Sequence, residues 1–335
     1  MRIYVDAFGG DNAPLAAIQG AADAVKAYGH TVVLCGDEQA IRDCAAANGV
    51  AMDGIEICHT TDVLTMDDEP KSILKEHKNS SMGIGLQAVA AGEGDAFVTA
   101  GSSGAVLMGA TFIVKRIQGV SRPAFASVLP SDTKPFLLLD MGANAECRPE
   151  MLLQFAQMGA LYMSKVIKQS EDVTVGLLNN GVEEHKGGDL QQQAYKLLSE
   201  SDLHFIGNVE ARAVPYGAAD VIVADGFSGN VLLKTMEGTA DMLLKNIKSI
   251  FHTNLLTILG GALVKPYLGS LKKKMSASAH GGAPVLGVRK TVIKAHGNAN
   301  RVAFMNAIRV AAEAAQADIP TRIAEAMATK AEDVG

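Results

Sequence analysis

Short apolar runs that end in a small or acidic residue alternate along the chain with longer, alanine-rich segments of helical period. The runs at 3–6, 31–34, 55–58, 96–99, 125–129, 136–140, 173–178, 204–206, 221–224 and 292–295 show too little polar alternation for strands with one wet face. They predict strands buried on both sides of a largely parallel sheet. Between them the pattern predicts helices over 15–28, 38–48, 82–91, 105–115, 151–168, 190–199, 231–250 and 299–317. This alternation predicts an α/β fold, a layered Rossmann-like sheet. No internal repeat or low-complexity linker interrupts it, so 1–335 reads as a single α/β unit. Only 243–275 breaks the rhythm: it is helical, apolar and basic, and reads as an arm inserted into that unit.

Composition changes the picture at one point. The 335 residues carry a formal charge of −6 and 48% hydrophobic residues, which excludes a disordered or collagen-like chain. The charge is unevenly placed, however. The stretch 242–312 holds eleven basic residues and no acidic one, so the rest carries −17. A basic stretch of that kind points to an anionic partner, or to a solvated helix face. Its cations share the segment with leucines rather than aromatics, which argues against nucleic acid.

Four cysteines, Cys35, Cys44, Cys58 and Cys147, fit no zinc or CxxC spacing, and a reduced cytoplasmic protein without metal is expected. The N-terminus runs directly into a strand with no secretion signal. The longest lipid-like run, 255–264, is about half of the roughly 20 residues a bilayer span needs.

Candidate chemistry sits at the strand ends, where an open α/β sheet binds ligands and glycine turns present backbone N–H groups to an anion. Five such turns occur: Asp6 to Asp11, Thr99 to Gly104, Asp140 to Asn144, Asn179 to Gly181, and Asp225 to Asn230. The dinucleotide fingerprint, the P-loop and the Gly-x-Ser-x-Gly elbow are all absent, and Ser72-Ile73-Leu74-Lys75 matches Ser-x-x-Lys only at chance level. Asp6, Asp11, Asp140, Asp225, His185 and His296 lie beside the turns as general acids or bases, or else as Asx-turns and helix caps. Lys186, in a polar loop, would meet a phosphate or simply face water. Cys147 is either a nucleophile or a small buried thiol, and no histidine partner is evident for it.

Taken in order, these segments resemble a known family. Val5-Asp6-Ala7-Phe8-Gly9-Gly10-Asp11-Asn12-Ala13-Pro14 is similar to the N-terminal signature of bacterial phosphate acyltransferases of the PlsX type. The likeness continues through Thr99-Ala100-Gly101-Ser102-Ser103-Gly104-Ala105, Leu139-Asp140-Met141-Gly142-Ala143-Asn144, Gly207-Asn208-Val209-Glu210, Asp225-Gly226-Phe227-Ser228-Gly229-Asn230 and Gly281-Gly282-Ala283-Pro284, across nearly the whole chain. Phe8, Ser102 and Ala213 depart from the family pattern, where Met, Asn and Asp are usual.

The resemblance implies a fold similar to the isocitrate and isopropylmalate dehydrogenases and to phosphotransacetylases. It implies reversible transfer of a long-chain fatty acyl group from acyl carrier protein to inorganic phosphate, without cofactor. The acyl-phosphate product would serve phospholipid synthesis, with a glycerol-3-phosphate acyltransferase downstream. A cytoplasmic homodimer, peripherally associated with the inner face of the plasma membrane, is implied as well.

On this reading phosphate attacks the thioester directly, and the protein supplies position and charge. Lys186 would neutralise the phosphate, and Gly9, Gly10, Asp11, Gly101, Ser102, Ser103 and Asn144 would form its cradle. Asp225, Asn230 and His296 complete the expected catalytic set, with Asn144, Asn230 or His296 stabilising the oxyanion or protonating the thiolate. A covalent Cys147 intermediate is the competing route. In the arm, Leu255, Leu259 and Leu263 with Lys265, Lys272, Lys273 and Lys274 would meet lipid or the acidic carrier protein, unless the leucines pack a dimer. Two other classes stay open: a nicotinamide-dependent oxidoreductase on the related dehydrogenase fold, and a non-enzymatic scaffold that binds acyl carrier protein.

Overall fold

The computed structural model describes residues 1–275 and 281–332. The side chains of Leu255, Lys272, Lys273 and Lys274 lie outside the described residues. Eleven strands form one sheet: β1 (Arg2–Asp6), β2 (Thr31–Gly36), β3 (Ile55–His59), β4 (Ala96–Thr99), β5 (Ala124–Leu129), β6 (Phe136–Leu139), β7 (Thr174–Asn179), β8 (His204–Glu210), β9 (Val221–Val223), β10 (Ala283–Leu286) and β11 (Thr291–Lys294). Their order is β3-β2-β1-β4-β11-β10-β5-β6-β9-β7-β8. Pairing is parallel from β3 to β11 and from β6 to β8, and antiparallel at β11–β10, β10–β5 and β5–β6. The sheet thus has two parallel wings joined by a short antiparallel centre, and the expected α/β layers are present.

The helices are α1 (Leu15–Tyr28), α2 (Glu38–Ala47), α3 (Ser81–Ala91), α4 (Ser103–Gly109), α5 (Pro149–Tyr162), α6 (Asp189–Ser199), α7 (Gly226–Ile250), α8 (Leu255–Met275), α9 (Arg301–Gln316) and α10 (Ile319–Glu332). Alternate residues of the first-wing strands enter different cores. Ile3, Val5, Val98 and Ile293 pack with Ala17 and Ile18 of α1 and Phe304 and Ile308 of α9. Tyr4, Phe97 and Val292 pack with Met82 and Leu86 of α3 and Val106 of α4. The second wing repeats the arrangement. Leu137 and Leu139 face Leu152 and Phe155 of α5, while Leu138 faces Leu232 and Leu233 of α7. Each such buried aliphatic or aromatic side chain stabilises the fold by about 2 kcal/mol, which explains why these strands tolerate almost no polar residue.

Four features differ from the sequence reading. β10 is not among the predicted strands, since two glycines precede it and a proline stands within it. A proline survives in the strand because Ala283 and Pro284 pair only with β11, while Val285 and Leu286 pair with β5. α7 begins at Gly226 rather than 231, because Gly226 and Gly229 belong to its first turn. The helices expected at 105–115 and 151–168 are α4 and α5, each widening into a π-turn at Ala110–Lys115 and Met163–Lys168. Finally, α9 stops where Asp318 turns left-handed at φ 49°, and the unexpected α10 follows.

The arm region consists of the outer half of α7 and α8, with Gly261 of α8 set against Phe251. Leu259 and Leu263 are 66% and 78% exposed, and Leu256 is exposed too. Among the described residues no helix is long and apolar enough to cross a membrane.

Asp220, just before β9, closes the far end of the second wing. Its fully buried carboxylate accepts from Thr174 N at 2.9 Å, Thr174 Oγ1 at 2.8 Å and Lys168 Nζ at 3.1 Å. Lys134 Nζ lies 2.7 Å from Oδ1 as an ion pair outside hydrogen-bond geometry. Burial alone would raise this carboxyl, but Lys134, Thr174 and Lys168 override it and hold it at about 2. A depressed folded-state pKa stabilises above the ordinary carboxylate range and is lost as pH falls through the folded value. Asp220→Asn is therefore expected to lose about 3 kcal/mol at pH 7 in urea unfolding. The gap to the parent should narrow as pH drops from 4 towards 2, and a gap constant over that window would refute the assignment.

Candidate active site

The ends of β1, β4 and β11 are neighbours in the sheet, and one buried carboxylate at the end of β1 ties its own turn to β4 and α3. Asp6 Oδ1 accepts from Ser81 Oγ at 2.7 Å and Phe8 N at 3.1 Å, and Oδ2 accepts from Thr99 Oγ1 at 2.7 Å. Burial raises the Asp6 carboxyl, and these three donors work against that shift. Gly101 N in turn donates to Thr99 Oγ1 at 2.9 Å, so this expected cradle N–H is used inside the site. Gly10, at φ 95°, brings the chain against Gly297, whose carbonyl accepts from Asp11 N at 2.8 Å. Ser102 caps α4, Ser103 opens it, and Asp11 and His296 stand exposed at the rim.

The second wing contributes a matching assembly. Buried Asp140, one residue past β6, accepts from Phe125 N, Ala143 N, Asn144 N and Asn144 Nδ2 at 2.7–3.1 Å. Burial raises its carboxyl, and the four donors oppose the rise. Both N–H bonds of the Asn144 amide are taken, one by Asp140 and one by the Pro123 carbonyl at 2.9 Å. Asn144 O accepts from Gly226 N at 2.7 Å, and a Cβ on Gly229 would overlap the Asp140 carbonyl oxygen. The loop therefore grips the first turn of α7. Asp225 is the N-cap of that helix, accepting from Ser228 N and Ser228 Oγ at 2.8 Å, and Asn230 is exposed one turn in. The Cys147 thiol donates to the Asn144 carbonyl, and burial pushes it up to about 11.

The two assemblies face each other. Met141 and Ala143 of the second-wing loop pack in the same apolar cluster as Ala105, Val106 and Met108 of the first. Lys186 lies farther along the second wing, beyond β7. Its loop is tied by Asn179 Nδ2 to the Lys186 carbonyl at 3.1 Å and by Asn208 Nδ2 to Glu183 O at 2.8 Å. The Lys186 side chain is 40% exposed and lies 3.8 Å from Glu183.

Sequence reasoning passed over Ser81, Thr99 and two lysines. Lys294, the last residue of β11, is buried beside the Asp6 loop, and burial with the nearby charge of Lys234 on α7 lowers it to about 8 against the pull of Asp6 and Asp11. Its signal was available: a lysine closing the apolar run Thr291-Val292-Ile293 directly before Ala295-His296-Gly297. Among the arm residues, Lys265, Leu259 and Leu263 are exposed.

Residues 1–322 match the family described as fatty acid synthesis protein. The phosphate acyltransferase of Alkaliphilus oremlandii is 40% identical over 333 residues, covering 99% of each chain. That of Oceanobacillus iheyensis is 45% identical over 312 residues, covering 93% of this chain and 92% of its own. The chain belongs to the phosphate acyltransferase family. It is an enzyme, an acyltransferase. In fold this acyltransferase is similar to a phosphotransacetylase from Streptococcus pyogenes, with TM-score 0.65, 16% identity, and coverage of 95% of this chain and 94% of that one. It is also similar to a 4-hydroxythreonine-4-phosphate dehydrogenase from Salmonella typhimurium, with TM-score 0.54, 10% identity, and coverage of 93% and 98%. At such identities the likeness concerns fold alone, so the dehydrogenase neighbour lends no support to oxidoreductase chemistry.

The grip of the Asp140 loop on α7 is directly testable. Gly229→Ala places a methyl group where backbone already stands and is expected to cost about 3 kcal/mol and to lower Tm. An unchanged Tm would show that the helix start can move away from Asp140.

Proposed function

We propose that this acyltransferase moves a long-chain fatty acyl group from acyl carrier protein to inorganic phosphate, by direct attack of a phosphate oxygen on the thioester carbonyl. The observation that carries the reading is the family match over 1–322, joined to the meeting of strand-end loops from both wings in one place. The carbon–sulfur bond breaks as the carbon–oxygen bond of acyl-phosphate forms, and the departing thiolate takes a proton. Lys186 balances phosphate charge, and Asn230 or His296 supplies the oxyanion contact or that proton, since the Asn144 amide is already engaged. Asp225 acts by fixing the start of α7, which carries Asn230.

Direct attack is favoured over a covalent intermediate by the Cys147 thiol. A group held at about 11 is almost entirely protonated near neutral pH, whereas the thiolate is the nucleophile. The finer parts of the reading are a cytoplasmic homodimer that sits peripherally on the membrane, with a glycerol-3-phosphate acyltransferase as the consumer of the product. The exposed leucines of α8 support the membrane part, since an apolar face beside cations suits an anionic lipid surface.

Purified protein given long-chain acyl carrier protein is expected to release free thiol and acyl-phosphate only when inorganic phosphate is present. Phosphate-independent release would sink the proposal. Lys186→Ala should cut turnover by about 10²-fold or more, whereas Cys147→Ser should leave it within a factor of two. An inactive but folded Cys147→Ser protein would instead establish the covalent route.

The membrane contact has its own readout. Leu259→Glu should reduce sedimentation with anionic vesicles about tenfold while leaving turnover of soluble substrate intact. Undiminished vesicle binding would remove the arm as the anchor.

A further inference from the structure

The edge of the first wing sets two of the four thiols against each other, at a place the acyl-transfer chemistry does not use. Cys35 of β2 and Cys58 of β3 are register partners in a parallel pair. Their side chains leave the same face of the sheet, into the cluster that α3 and α4 cover with Met82, Leu86 and Val106. Paired strands run about 4.8 Å apart, and a disulfide needs Cα atoms roughly 4.4–6.8 Å apart with both Cβ atoms on one side. Two strand partners on one face meet both requirements. Cys44 lies in the cluster of the opposite face, and Cys147 packs in the second wing, so neither competes.

The two thiols differ in access. Cys35 is fully buried, while β3 is the outermost strand of this wing and Cys58 is partly exposed on it. A dissolved oxidant therefore reaches Cys58 first. Cys58 is also the more readily ionised: its Cys35 neighbour draws it below the ordinary thiol range against burial, whereas Cys58 and burial together drive Cys35 up. The thiolate is the form that attacks an oxidant. Cys35 in turn stands beside the site. It is the register partner of Asp6, and its carbonyl accepts from Ala7 N at 3.0 Å. A Cβ on Gly85 would stand 3.3 Å from the Cys35 sulfur, so that sulfur lies directly under α3, the helix whose Ser81 holds Asp6.

We propose that Cys58 and Cys35 are a peroxide-responsive pair that closes into a disulfide between β3 and β2 and thereby displaces the Asp6 turn. The Cys58 thiolate attacks one peroxide oxygen, the O–O bond breaks, and the departing hydroxide takes up the proton Cys58 had released and leaves as water. Cys58 is then a sulfenic acid. The Cys35 sulfur attacks the Cys58 sulfur, the S–S bond forms as the S–O bond breaks, and the hydroxide leaves as water with the Cys35 proton. Two thiols lose two electrons, and one peroxide becomes two waters. Drawing the Cys35 sulfur towards β3 takes it from under α3 and pulls on the strand that holds Ala7, so the turn follows. An added thiol reopens the bond by exchange at the partly exposed Cys58 sulfur.

The test treats the full-length protein with hydrogen peroxide and maps its peptides by mass spectrometry without reduction. The parent is expected to give a Cys35–Cys58 cross-linked peptide that dithiothreitol removes. Cys35→Ala should instead accumulate a sulfenic acid at Cys58 that dimedone labels, whereas Cys58→Ser should leave Cys35 a free thiol. Turnover of the parent should fall about tenfold on oxidation and recover with dithiothreitol, while Cys58→Ser should keep its turnover under peroxide. A parent whose Cys35 and Cys58 stay free, or pair with other cysteines, overturns the proposal whether or not the variants fold. A disulfide that leaves turnover unchanged overturns the coupling to Asp6. The cross-link is read without substrate, so a parent that cross-links but makes no acyl-phosphate when reduced removes the acyl-transfer reading alone.

Discussion

The buried Asp6 carboxylate is the constraint on which the first half of the site depends. A charge at the end of a buried strand would ordinarily be expelled or neutralised. Here burial raises the carboxyl, and two hydroxyls and a backbone N–H that converge on it from three elements oppose that rise. Ser81 belongs to α3, Thr99 to β4, and Phe8 to the turn after β1, so one carboxylate sets the relative position of all three. The turn that results carries Gly10 against Gly297 and so reaches the loop after β11 as well.

Asp140 performs the equivalent task across the site, with a different clientele. Its donors come from the start of β5 and from its own loop, and that loop holds the first turn of α7 through Asn144 and Gly229. Two of the acids that lie beside glycine turns in the sequence are therefore organisers of backbone. Their oxygens are engaged by hydroxyls, N–H groups and an amide of the fold itself. The chemistry falls to groups these loops carry to the rim, and to lysines.

Much of the fold was legible because an inner strand buried on both faces must be apolar throughout; the first nine predicted strands and the run at 292–295 each correspond to a strand of the sheet, although the edge strands β3 and β8 are partly exposed rather than buried on both sides. β10 was not legible because its pairing is divided between two neighbours, so four residues containing a proline suffice. The glycine turns read as anion cradles, but their N–H groups could not be apportioned from sequence. Whether Gly101 N faces a ligand or Thr99 Oγ1 depends on tertiary placement of the threonine hydroxyl. For Lys294 the sequence offered a place, the end of an apolar run, but not a burial, since periodicity does not distinguish a lysine that ends a strand by reaching water from one that folds back under a loop. Gly226 and Gly229 misled the reading of α7, since close approach to another backbone and a turn both select glycine.

Those two glycines also divide the start of α7 into faces that differ in how much change they can absorb. Gly226 and Gly229 press on the backbone of the Asp140 loop, where even one methyl group has no room. Phe227, Asn230, Val231 and Lys234 fall at intervals of three and four on the other side of the same turns, and all four are exposed. The outer stripe is therefore free of the packing that fixes the fold, whereas the inner one pins the loop to the helix. A library built on 227, 230, 231 and 234 would explore recognition at little cost in folding, whereas one built on 226 and 229 would explore only misfolding.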